Sequence, residues 1–111
     1  MICSPHAYFK TMSKKIENIA SLYFVSKKKI EQTTMNSFSS GDVEMLNPFN
    51  LIVKKVERAF SRLDEIEKIF INNDFFFEKY PYWWESIYPR CTYYRYKRKA
   101  MDHFLQIYEE N

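Results

Sequence analysis

Apolar residues recur along this chain at spacings of three and four rather than two, and that period belongs to helices. The first such stretch runs from about Ser13 to Gln32, with Ile16, Ile19, Ala20, Tyr23, Phe24 and Ile30 facing inward and the lysines outside. A second opens at Asn47-Pro48, where an asparagine side chain can accept from the first unpaired amides and a proline at the first helical position forfeits no needed donor. Leu51, Ile52, Val56, Ala59, Phe60 and Leu63 form its apolar stripe, opposite Lys54, Lys55, Glu57, Arg58 and Arg62. Asp64, three residues before Glu67, has capping-box spacing and starts a third helix through Ile66, Ile69 and Phe70 to about Phe75. Tyr80-Pro81 sets the next boundary, because the residue before a proline avoids helical geometry. A short helix over Tyr82 to Tyr88 follows, with Trp83 and Trp84 pointing in different directions, so that one is buried with Ile87 and Tyr88. After a turn at Pro89 to Cys91, Thr92 caps or begins the last helix. Its inner face is Tyr93, Tyr96, Ala100, Met101, Phe104, Leu105 and Tyr108.

These elements predict an all-α fold, a small helical bundle preceded by an N-terminal arm helix. The polar stretch Thr33 to Asn47 holds the only glycine, Gly41, and is the candidate linker. It divides the chain into an arm and linker over residues 1–46 and a domain over residues 47–111. That domain is near the lower end of what folds alone, so the arm either packs back on it or mediates dimerisation. The helix around Ile16 to Ile30 is the candidate homodimer element. With 111 residues, 46% hydrophobic and 19% aromatic, the chain has enough apolar material for one compact core. Phe75 to Phe77 accordingly reads as core filling rather than as an exposed patch.

Several function classes recede. The apolar run Ile19 to Val25 is far shorter than the roughly 20 residues a membrane-spanning helix needs, and lysines flank it. The opening MICSPHAYFKTM lacks a basic region followed by an apolar core, so it does not resemble a secretory signal; Met12 is an alternative start. Cys3 and Cys91 are too few and too far apart for a disulfide framework or a zinc site, which makes a reducing cytoplasm the expected location. Cys91 beside Arg90 is either a thiol of lowered pKa that senses oxidation or a small turn-packing residue. The two histidines, His6 and His103, are separated by nearly the whole chain, and no HExxH, glycine-rich phosphate loop or nucleophile-base order is present. No catalytic residue, metal or cofactor is expected.

Charge changes the picture more than composition does. Residues 90–103 carry five Arg/Lys against Asp102, a net +4, whereas residues 64–88 carry six acids against Lys68 and Lys79, a net −4. Residues 1–30 hold six lysines against Glu17, which is either a solvated helical face or a phosphate- or headgroup-binding one. A basic helix following an aromatic segment and a turn suits DNA: its cations displace counterions from phosphates and its arginines can reach guanine edges in the major groove. The positive end of its dipole would also favour a phosphate near the Pro89 to Tyr93 amides.

At PRCTYYRYKRKAMDHFL the chain resembles the ending of the ArpU/RinA-type phage transcription regulators, whose helix-turn-helix is related to the promoter-reading fourth region of sigma-70 factors. Thr92, Tyr93, Tyr94, Arg95, Lys97, Lys99, Ala100, Phe104 and Leu105 carry the likeness, with WWESIY in the position of the supporting helix and LDEIEKIF in that of the helix before it. The likeness spans roughly Leu51 to Tyr108, and Pro89 and Cys91 depart from it where such turns often carry serine. It implies a bacterial or phage-derived transcription regulator that binds double-stranded DNA through a helix from about Thr92 to Tyr108. Arg90, Thr92, Tyr94, Arg95 and Arg98 would face bases, and Lys97 and Lys99 phosphates. The competing expectation is a helical protein-interaction module, or a degenerate helix-turn-helix, that binds an acidic partner such as an RNA polymerase subunit.

Overall fold

A computed structural model describes residues 7–36, 47–77 and 82–110. Four α-helices account for most of them: α1 Ala7–Asn36, α2 Asn47–Ser61, α3 Glu65–Ile71 and α4 Arg90–Glu109, with a π-helical turn Asn72–Phe76 continuing α3. No strand occurs among the described residues, so the fold is the expected all-α bundle.

The thirty residues of α1 span about 45 Å at 1.5 Å per residue. The helix begins six residues before the predicted Ser13 and runs four past Gln32, because its inward stripe starts earlier than the apolar period suggested. Phe9 and Met12 are buried with Ile16 and Ala20, and Ile19 and Tyr23 lie against the same core. Phe24 is a correction: one residue beyond Tyr23, about 100° further around the helix, it is 39% exposed. Of the predicted linker, Thr33 to Asn36 belong to α1 and Asn47 to α2; residues 37–46, Gly41 among them, lie outside the described ones. The arm packs back on the rest of the chain, touching α2, α4 and the π-turn.

In α2, Val56, Ala59 and Leu63 are buried as expected and Phe60 partly so. Leu51 does not join them and is 67% exposed, since five residues of helical rotation put it about 140° from Val56. The third helix starts as its capping box foretells: the Asp64 N–H donates to Glu67 Oε1 at 3.0 Å. Phe70 and Ile71 are then completely buried.

The π-turn is the element that periodicity could not anticipate. Phe77 N–H reaches back five residues to the Asn72 carbonyl at 2.7 Å, and that wider turn re-aims the side chains following α3. Phe75 and Phe76 enter the core, as the core-filling reading requires; Phe77 does not, and is 62% exposed.

Residues 82–88 differ from the predicted short helix. They form successive turns with two i→i+3 bonds, Glu85 to Tyr82 and Ile87 to Trp84, and a single helical i→i+4 bond from Tyr88 to the Trp84 carbonyl at 2.8 Å. Tyr82 adopts φ 62°, a left-handed conformation uncommon outside glycine, and this breaks regular helical geometry at the first residue of the segment. Trp84 is the buried tryptophan and Tyr88 packs partly against the core, whereas Ile87 is exposed because it lies on a turn rather than on a helical inner face.

Candidate nucleic-acid interface

The basic helix α4 begins at Arg90, two residues before Thr92, with Pro89 as an extended N-cap whose carbonyl accepts the Tyr93 N–H at 2.9 Å. A proline serves there because an N-cap needs its carbonyl rather than its N–H for the first helical bond. From this start, Tyr93, Ala100, Met101, Phe104 and Leu105 turn into the core as predicted, and Ile107 joins them. Tyr96 and Tyr108 are partly buried against it.

What fixes α4 in place is a polar hub that sequence reading passed over. Asp74 sits in the π-turn; its Oδ1 accepts the Trp83 indole N–H at 2.7 Å and its Oδ2 accepts the Tyr93 hydroxyl at 2.7 Å. Lys97 Nζ stands 3.4 Å from the same Oδ2, with both side chains largely buried. Desolvation, then the hydrogen bond to Asp74, pushes the Tyr93 hydroxyl well above its ordinary value, so it remains a donor. The Lys97 ammonium also lies over the rings of Phe9, Phe75 and Tyr93 at 5.7, 5.3 and 5.5 Å. One carboxylate thus ties the π-turn, the 82–88 turns and α4 together. The only sequence signal was an acidic residue in an aromatic stretch, FINNDFFF. A second tie joins α3 to α4, where His103 Nδ1 and the buried Glu67 Oε1 are 2.7 Å apart.

The predicted site residues therefore separate into three groups. Arg95, Arg98 and Lys99 are exposed, and their i, i+3, i+4 spacing places them on one outward arc of α4. Thr92 is half-buried, and its i, i+3 relation to Arg95 puts it at one border of that arc. Arg90 and Tyr94 form the other border: the Arg90 guanidinium is 5.8 Å from the Tyr94 ring centre. That ring is itself packed edge-on against Phe9 at 5.8 Å and Tyr93 at 4.9 Å, so Tyr94 is half-buried under α1. Lys97 belongs to the interior hub, and the structure does not bring it together with Lys99.

Cys91, in the first turn of α4, is disulfide-bonded, which corrects its reading as a thiol, whether redox-sensing or turn-packing. The chain's other cysteine, Cys3, lies outside the described residues. Among the described residues no group of three His, Cys, Asp or Glu side chains could hold a metal ion, and no helix is long and apolar enough to cross a membrane. Compared with family models, with curated proteins and with solved structures, the chain finds no match.

Proposed function

We propose that this protein is a sequence-specific DNA-binding transcription regulator, of bacterial or phage descent, that lays the N-terminal half of α4 in the major groove. The observation that carries this reading is the division of α4 itself. Its inner face is consumed by the core while Arg95, Arg98 and Lys99 stand together on the outer one. Arg95 and Arg98 have the length and fork geometry to read guanine edges, with Arg90 and Thr92 at the flanks, and Lys99 neutralises a phosphate. Tyr94 supports the surface from below. Lys97 is left out of the interface, since contact with a phosphate would strip a largely buried carboxylate of its cation. The role is binding rather than catalysis, and it requires no cofactor.

One helix in one groove gives limited specificity, so a homodimer or a complex with RNA polymerase would complete the reader. A dimer through α1 would use Leu22 and Val25, which are exposed, rather than Ile19, which already packs on the core. The DNA reading places the protein in the cytoplasm, where the Cys91 disulfide would be reduced or transient; a persistent disulfide belongs to an oxidising compartment. Quantifying free thiols in protein taken directly from cells separates these.

The alternative is a helical module for an acidic protein partner, and the 82–88 segment favours it: turns stand where a helix-turn-helix has its supporting helix. Selection from a pool of random duplexes at moderate salt tests the choice. Enrichment of a motif by the wild type, lost by Arg95→Ala/Arg98→Ala, supports DNA reading; no enrichment by the folded protein supports the protein-partner reading.

A further inference from the structure

A second surface, built by other elements, is independent of the basic face. Between α1, α2 and the π-turn lies an open cleft of about 370 Å³, walled by Tyr23, Val56, Phe60, Phe76 and Phe77, with Lys68 of α3 also in its lining. Its volume and largely apolar lining suit a small molecule rather than a single water. Phe77 is 62% exposed beside it and meets Phe24 edge-on at 5.8 Å, an aromatic pair left half in solvent that a ligand ring would cover. The π-turn is what shapes this wall, because its wider turn places Asn72, Phe76 and Phe77 side by side on the cleft; π-turns are rare and recur at functional sites.

Two charged side chains, Glu57 and Lys68, belong to the lining. Glu57, the one acid in the lining, is already engaged: it accepts the Tyr23 hydroxyl at 3.1 Å and lies 3.9 Å from Lys27. Among the described residues the half-buried Lys68 pairs with Glu65 at 3.4 Å, and because that glutamate side chain is 88% exposed, solvent screens the attraction. An anionic group arriving at Lys68 would displace this weak partner, while Glu57 stays matched. We propose that the cleft binds a small aromatic anion, its ring against Phe60, Phe76 and Phe77 and its carboxylate or sulfonate on the Lys68 ammonium.

Fluorescence titration of the full chain with anilinonaphthalene sulfonate, and in parallel with the uncharged N-phenylnaphthylamine, tests this. Saturable binding at one site is expected. Lys68→Gln should weaken the sulfonate by about fivefold or more and leave the neutral probe unchanged, because a charge-assisted contact is removed and the wall is not. Phe77→Ser should weaken both probes. Phe77 is exposed and Lys68 half-buried, and unchanged helical circular dichroism confirms that the variants fold. The proposal is overturned if no saturable binding is seen, if Lys68→Gln affects the two probes alike, or if Phe77→Ser leaves both untouched.

Discussion

Two cations two residues apart on α4, Lys97 and Lys99, behave as different kinds of residue. Lys97 lies largely buried, paired with Asp74 and surrounded by three aromatic rings. Lys99 is exposed on the arc it shares with Arg95 and Arg98. Both count equally toward the local charge of +4 between residues 90 and 103. The difference teaches that a basic helix in a small aromatic protein serves two ends at once: part of its charge fastens the helix to the body, and only the remainder faces outward. Estimating a binding surface from the charge total overstates it by the part that the core retains.

The largest effect that would break this division is at the hub. Asp74→Ala leaves a buried ammonium uncompensated and two donors, the Trp83 indole and the Tyr93 hydroxyl, without their acceptor. A loss of roughly 3 to 5 kcal/mol is expected by chemical denaturation, enough to unfold a marginal domain. Lys97→Met should cost less, about 1 to 3 kcal/mol, because the same carboxylate keeps its two neutral donors and the methionine fills the aromatic cage. Arg95→Ala and Arg98→Ala, by contrast, should each change stability by no more than about 0.5 kcal/mol. If Lys97→Met were as harmless to stability as Arg95→Ala, the division of α4 would fail.

An intermediate test uses pH. Tyr93 has its folded-state pKa raised, foremost by desolvation and next by Asp74, so its contribution is fully present below the ordinary tyrosine value of about 10 and is lost as pH climbs above it. Tyr23 and Tyr108 shift in the same direction, both through burial first. Stability should therefore decline above about pH 10, where the unfolded chain releases tyrosine protons that the folded one retains. The decline should be shallower in Tyr93→Phe when denaturation curves are compared across that range. At the small end, Ser26 in α1 is completely buried and its hydroxyl has no hydrogen-bond partner among the described residues. Ser26→Ala should be neutral or stabilising by up to about 1 kcal/mol in the same assay.

Local chemistry was what made the fold legible. Asn47-Pro48 marked α2, Asp64 and Glu67 marked the start of α3, and the spacing from Tyr93 to Leu105 gave the inner face of α4, because each signal lies within a few residues of the structure it directs. The elements that escaped depend on contacts across the chain. Asp74 gathers partners nine, nineteen and twenty-three residues away, and it does so from a π-turn, which has no hydrophobic period of its own. The 82–88 segment looked helical from its flanking prolines, yet its tryptophans are held by Asp74 and by Tyr93, on which Trp84 stacks at 4.1 Å. Those tertiary contacts override local propensity. The candidate interface was legible as charge and not as geometry: Arg95, Arg98 and Lys99 stand where the spacing put them, Tyr94 is covered by Phe9, and Lys97 is withdrawn.

The most direct test of the two-sided helix is duplex affinity at fixed moderate salt, measured for the wild type, Arg95→Ala/Arg98→Ala and Lys97→Met, each shown to be folded. The expected result is a loss of tenfold or more, roughly 1.4 kcal/mol or above, for the double arginine variant, with Lys97→Met remaining within about twofold of the wild type. Equal loss in both, or loss in Lys97→Met alone, would contradict it.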